Sequence, residues 1–364
     1  MPLDIYKLTQ LCKIASPNDV DSNGQHIYDA MTDRLETMGN PRGNLAFGGC
    51  AIALSLAAAF ASLPDRPAST PPFAIYSVLG NFLGPTEAAK PVRLLVRSLR
   101  DTRSFATRLV LVTQQQPNGE WRPSFSALCD FVAAQERESP STLMSFSAPP
   151  QRKYEHPDNL PTRKAWLQDI EKQGTFSEAQ LANFHALFST MPRYVDLRAP
   201  PDGMAAQKLW GIDTKAKTTQ DHLAFTDRYT SDWFKSILDL EQAAKQKHDG
   251  VNLSLAALNA CLAAFYTDGM IAFLPLTLSR NPSLWFADTA ACSSLEFALR
   301  FHTDQLDLSQ WHLREMQTAS GGHARTYSES RVFDNSGRLV ATMSQQAVLR
   351  ANPASKHAGE NSKL

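Results

Sequence analysis

One pattern recurs in this chain and restricts its fold more than any other. An apolar helix is followed by strand-like runs with short connections, once over residues 47–133 and again over residues 252–350. The first copy opens at Phe47-Gly48-Gly49 and continues as an Ala-rich helix to about residue 63, with Ile52, Leu56, Phe60 and Leu63 on one stripe. Four strand-like runs follow at residues 73–83, 91–99, 105–115 and 121–133, joined by turn material such as Gly84-Pro85, Asp101-Thr102-Arg103-Ser104 and Pro117-Asn118-Gly119. The second helix is predicted over residues 252–276, and runs at 293–303, 311–318, 324–333 and 338–350 repeat the meander. Connections this short make the strands antiparallel neighbours. The copies keep step: Ser104 and Gly322, and Gly119 and Gly337, are each 218 positions apart. The chain therefore reads as an α+β duplicated domain, each copy a long helix wrapped by a curved antiparallel sheet.

The remaining segments set the predicted boundaries. An N-terminal domain covers residues 1–134, with residues 1–46 read as a strand or short helix followed by loops. A connection rich in charge and proline covers 135–205, with surface helices over 163–172 and 177–187, the second opened by a capping box from Ser177 and Gln180. The C-terminal domain covers 206–350, where an amphipathic segment at 233–247 precedes the second helix, and a polar tail covers 351–364. With 364 residues, each domain is large enough to bury a core.

Within 252–276 there is a single charged residue, Asp268. Leu255, Leu258, Leu262, Phe265 and Tyr266 form one stripe. Ala257, Cys261 and Ala264 form a small-residue flank that Asp268 extends by a turn. A carboxylate buried there needs hydrogen-bond partners or a functional reason, whereas Asp268-Gly269 also reads as a plain helix end. The last strand holds a second anomaly: Leu339, Ala341, Met343, Ala347 and Leu349 share a face with Gln345 in its middle, and a buried amide needs partners or a role. In the run at 293–303 the apolar face is Leu295, Phe297, Leu299 and Phe301. Ser294 falls with Glu296, Ala298 and Arg300 on the other, so alternation alone gives it no special status.

Several function classes lack their signatures. Lys+Arg and Asp+Glu are both 36, which gives no argument for nucleic acid or an anionic membrane as partner. There is no G-x-S-x-G elbow, no H-E-x-x-H, no G-x-G-x-x-G turn and no P-loop, so no metal, dinucleotide or other cofactor is expected. The five cysteines, Cys12, Cys50, Cys129, Cys261 and Cys292, are dispersed and odd in number, which suits a reduced intracellular protein. The N-terminal residues lack the basic segment and apolar core of an export signal. The charge-free run at 50–63 falls short of the roughly 20 residues that span a bilayer, so no membrane span is expected there. At the C-terminus, Ser362-Lys363-Leu364 is a peroxisomal address, which predicts the peroxisomal matrix and an import receptor as partner.

Four motifs carry a resemblance. Leu45-Ala46-Phe47-Gly48-Gly49 stands before a small-residue helix, and Ser98-Leu99-Arg100-Asp101-Thr102-Arg103-Ser104-Phe105 lies between strands. Tyr266-Thr267-Asp268 sits in a helix, and Gly337-Arg338-Leu339-Val340-Ala341 leads to Gln345. Together they resemble the acyl-CoA thioesterase II family over roughly residues 40–130 and 250–350. The resemblance implies a double hotdog fold and hydrolysis of acyl-CoA to free acid and CoA. It also implies a catalytic set of Asp268 as orienting group or general base, with Ser294 and Gln345 as water-positioning partners. Gly48-Gly49 stands as a candidate source of oxyanion-binding amides, and self-association is implied. The chain departs from the family pattern at Tyr76-Ser77-Val78-Leu79-Gly80-Asn81-Phe82-Leu83 and after Ser294, so the acyl group stays open. Subtracting 218 from the three catalytic positions gives Cys50, Tyr76 and Ala127, which predicts one catalytic site per chain.

Two other readings compete. A peroxisomal enoyl-CoA hydratase also uses a double hotdog, although the first His after Asp268 is His302, beyond the helix. A non-catalytic acyl-CoA-binding protein would bind substrate without releasing CoA.

Overall fold

The computed structural model describes residues 11–13, 20–32, 34–37, 44–135, 139–174, 176–213, 216–247, 250–279 and 289–353, so Ser362, Lys363 and Leu364 lie outside the described residues. Along the chain run β1 (Leu11–Lys13), β2 (Gln25–Ala30), α1 (Gly48–Ala61), β3 (Phe73–Phe82), β4 (Val92–Asp101), β5 (Phe105–Gln115) and β6 (Trp121–Ala133). Next come α2 (Arg163–Gln173), α3 (Glu178–Leu187), β7 (Val195–Arg198), β8 (Tyr229–Ser236), α4 (Leu255–Thr267) and α5 (Leu274–Leu278). The chain continues through β9 (Thr289–Phe301), β10 (His312–Gly322), β11 (Arg325–Asp334) and β12 (Leu339–Ala351). These elements form two compact units that cut across the sequence repeats. One is Met1–Ser147, Leu238–Asp268 and Glu296–Ser309; the other is Ala148–Ile237, Gly269–Leu295 and Gln310–Leu364.

In the first unit the strand order is β1-β2-β4-β5-β6-β3, and the Glu296–Arg300 part of β9 pairs with β3, antiparallel throughout. Val92, Leu94, Val96, Val110, Val112, Ala127 and Phe131 are buried at alternate strand positions, leaving one apolar face for α1. The small residues of α1 and α4 let the two helices approach at backbone distance: a methyl group on Gly49 would lie 2.6 Å from the Phe265 carbonyl. Phe47 sets its ring edge against Phe265, with centroids 5.1 Å apart. The start of α1 thus lies beside the end of α4, and the two helices run antiparallel.

The second unit has the order β7-β8-β10-β11-β12. Here the structure corrects the reading of residues 233–247 as one amphipathic segment. Tyr229–Ser236 is a strand pairing with β10, and only Leu240–Lys245 is helical. Seven of the eight β8 residues are buried, so no in-out alternation was there to be read. Since β2 pairs with β4 as β8 pairs with β10, each repeat begins with a strand before its helix. The connection is more than a surface strap. The predicted capping box of Ser177 and Gln180 opens α3, and Leu167, Ile170 and Phe184 join Leu209, Met270, Leu274, Leu278 and Met316 in one core.

Candidate active site

The helix predicted over residues 252–276 is interrupted at its carboxylate. α4 ends at Thr267 with Asp268 as its C-cap, Gly269 follows, Met270 takes a left-handed φ of 77°, and a single turn, Ile271–Phe273, leads into α5. The window Leu255–Leu278 is apolar enough to pass for a membrane span by composition, yet 94% of it is buried. Both readings of Asp268 hold together: it closes a helix, and it is 6% exposed. A methyl group on Gly48 would sit 2.8 Å from Asp268 Oδ2 and 2.9 Å from the Phe82 ring, so only glycine lets the start of α1 reach this carboxylate. The positive end of the α1 dipole favours a negative charge there, and α1 has neither a side-chain cap nor an acid in its first turn. Phe82, Phe125 and Phe297 pack together nearby, with centroids 5.0–6.0 Å apart. A buried carboxylate beside an uncapped helix start and an aromatic wall can hold water, accept its proton and exclude bulk solvent.

In the second unit Gln345 is 1% exposed on β12, opposite Ser328 on β11, which in turn stands opposite Thr318 on β10. The Ser328 hydroxyl donates to Thr318 Oγ1 at 3.2 Å. This polar row lies on the sheet face where Met316 packs with Met270 and Leu274. In the first repeat the row at the matching register is Val96, Val110 and Ala127, all apolar and buried. The fold is thus indifferent to polarity there, and only the second repeat supplies it. Thr318 and Ser328 escaped the sequence reading because an alternating hydroxyl also marks an exposed strand face. Ser294 is half-buried on β9. Two residues earlier, Cys292 Sγ donates to the Ala272 carbonyl at 3.4 Å, so by strand alternation Ser294 lies on the side facing the turn after Asp268.

The 218 offset that aligns the sheets does not align the helices. By cap position the counterpart of Asp268 is Ser62, the C-cap of α1, in place of Cys50. There Arg108, 1% exposed, donates from Nε to Ser62 Oγ at 3.1 Å and pairs with Asp101 at 2.7 Å. A serine held by a buried cation stands where the other repeat has a carboxylate. The four described thiols are poor candidates for a nucleophile: burial pushes Cys50, Cys129 and Cys261 well above the usual thiol range and Cys292 up to about 12.

A cleft of about 730 Å³ opens in the first unit at the far end of the helix pair, between Phe60 and Leu255. Asn259 in its wall precedes Asp268 by about 13 Å of helix. Asp239, Glu241, Asp304 and Asp307 line the cleft without a Lys or Arg, a poor match for a polyphosphate ligand. Size alone does not mark the chemistry here.

Residues 38–132 match the family model of the acyl-CoA thioesterase N-terminal domain, and residues 215–349 match that of the acyl-CoA thioesterase C-terminal domain, together more than half of the 364 residues. A relative named acyl-CoA thioesterase 2, from Haemophilus influenzae, is 21% identical over 305 residues, covering 84% of this chain and 87% of its own. The acyl-CoA thioesterase II TesB2 of Mycobacterium marinum superposes with a TM-score of 0.59 at 19% identity, over 96% of this chain and 100% of that one. A hot dog fold protein of Alicyclobacillus acidocaldarius gives 0.52 at 15% identity, over 93% and 100%. At these identities the solved structures establish the fold, the expected double hotdog.

Proposed function

This chain belongs to the acyl-CoA thioesterase II family and is a thioester hydrolase, and we propose that Asp268, Ser294 and Gln345 together hold and activate the attacking water. The observation that carries the reading is the Asp268 carboxylate, buried beside the glycine start of α1. The polar row of Gln345, which the first repeat replaces with valine and alanine, supports it. In this reading Asp268 takes a proton from water as the oxygen attacks the thioester carbonyl carbon, while Ser294 and Gln345 fix the water's direction. The amides at Gly48 and Gly49 stabilise the developing oxyanion. The carbon–sulfur bond then breaks, the CoA thiolate leaves and takes up a proton, and the free acid remains.

Release of CoA thiol, followed with a thiol reagent across a panel of acyl-CoA substrates, tests the mechanism. Asp268→Asn is expected to lower kcat by about 10²- to 10⁴-fold with KM little changed, the usual contribution of a general base. A folded Asp268→Asn protein with the parental rate would remove the mechanism, and binding without thiol release by the parent would favour a non-catalytic role. The substrate panel also reports the acyl group.

We further propose that Ser362-Lys363-Leu364 delivers the enzyme to the peroxisomal matrix through an import receptor. A fluorescent fusion lacking these three residues is expected in the cytosol, and an unchanged punctate pattern would sink the proposal.

A further inference from the structure

We infer that Arg314 and Asp232 are a positioning pair for the reaction: their ion pair holds the backbone turn that follows Asp268 and thereby sets the direction of its carboxylate. The inference rests on the reading of Asp268 as the base. Arg314 on β10 and Asp232 on β8 stand opposite each other in register, and their side chains are 3% and 6% exposed. The guanidinium grips the carboxylate through Nε to Oδ1 at 3.2 Å and Nη2 to Oδ2 at 2.7 Å. Its third nitrogen, Nη1, donates to the Gly269 carbonyl at 2.9 Å. That carbonyl belongs to the residue bonded to Asp268, so the fork ties the sheet to the turn that presents the base.

Three observations separate this from ordinary packing. A buried ion pair seldom repays its desolvation, and apolar residues of similar volume usually serve stability as well or better. The first repeat shows that this fold accepts such residues, because the helix-facing side of β4 carries Val92, Leu94 and Val96, with Tyr28 opposite Leu94, all buried. Finally, the turn is strained: Met270, a residue with a Cβ, holds φ at 77°, a conformation that persists only where surrounding contacts impose it. The first repeat also pairs an Arg on β4, Arg93, with an Asp on β2, Asp29, at 2.8 Å, but those side chains are 28% and 37% exposed; only the second repeat buries its fork and aims a spare donor at the peptide beside the base.

The test uses the full chain and three variants, Arg314→Met, Asp232→Leu/Arg314→Met and Arg314→Lys, each measured for melting temperature and for kcat and KM with one acyl-CoA. Arg314→Met strands a buried carboxylate and is expected to lose both stability and turnover. The double variant removes the pair symmetrically, so its melting temperature is expected to return to within a few degrees of the parent. Its kcat is expected to stay about 10- to 100-fold low with KM within twofold, because the Gly269 carbonyl has lost its donor. Recovery of kcat together with melting temperature would overturn the inference, as would a loss confined to KM. Should the double variant fail to fold, Arg314→Lys decides: it keeps the charge but cannot fork between carboxylate and carbonyl, and full kcat in it would overturn the inference. Asp268→Asn run alongside keeps the two readings apart. Activity retained in Asp268→Asn defeats the catalytic reading, whereas an inactive Asp268→Asn beside a fully active double variant defeats only the positioning role.

Discussion

A single methyl group is enough to test how closely the start of α1 must approach Asp268. In Gly48→Ala the new Cβ would stand 2.8 Å from the carboxylate and 2.9 Å from the Phe82 ring, both inside contact distance. The carboxylate has to turn or the helix start has to retreat, and a shift of about 1 Å at a reacting group costs on the order of 10²-fold in rate. Overpacking costs roughly 1–3 kcal/mol, while alanine gains up to about 1 kcal/mol over glycine in a helix, so the two nearly offset in stability. The expected result is a protein with a melting temperature near the parent and kcat about 10²-fold down. An unchanged kcat would mean that the approach of α1 contributes nothing to the chemistry. Gly48-Gly49 was visible in the sequence as the opening of a helix, but the reason for glycine was not, because its contact partner lies far along the chain. Asp268 and Gln345 were legible for the opposite reason: each is a polar residue in an apolar pattern, a local signal.

At the scale of elements, the strands of both meanders and the surface helices α2 and α3 were legible because their turns, caps and alternation are local. β8 was not, since burial on both faces erased its alternation. The break in the second helix was half-visible. Asp268-Gly269 is a fair helix stop, but the apolar run to Leu276 outweighed it, because residues 271–278 are buried by packing on their own sheet. The single 218 offset failed for a simple geometric reason. From α1 to β3 the chain passes from Ala61 to Phe73, whereas from α4 to β9 it passes from Thr267 to Thr289. The longer second passage holds the Met270 turn, whose preceding Gly269 carbonyl accepts from Arg314, and α5. Turns fixed the register of the hairpins and could not report a connection that differed between the copies.

For the whole molecule, duplication supplies two helix ends, and the chain treats them differently. The end of α4 carries Asp268 next to a helix start, while the end of α1 carries Ser62 beneath the buried Arg108, which also donates to the Arg100 and Thr107 carbonyls at 3.3 and 3.1 Å and to Asp101. If the first end is purely structural, damage there should appear in stability alone. Arg108→Met leaves Ser62, two carbonyls and a carboxylate without their donor. Breaking a buried pair costs about 3–5 kcal/mol, and because Asp101 is 40% exposed and can turn to water, the lower end of that range applies. For a chain of this size that corresponds to a melting temperature lower by several degrees, with kcat and KM at 25 °C close to the parent. The informative contrast is with Asp268→Asn, in which turnover falls and the melting temperature holds. Were Arg108→Met to lose turnover while keeping its melting temperature, the first repeat would be taking part in the chemistry, and the division of one catalytic and one structural copy would have to be abandoned.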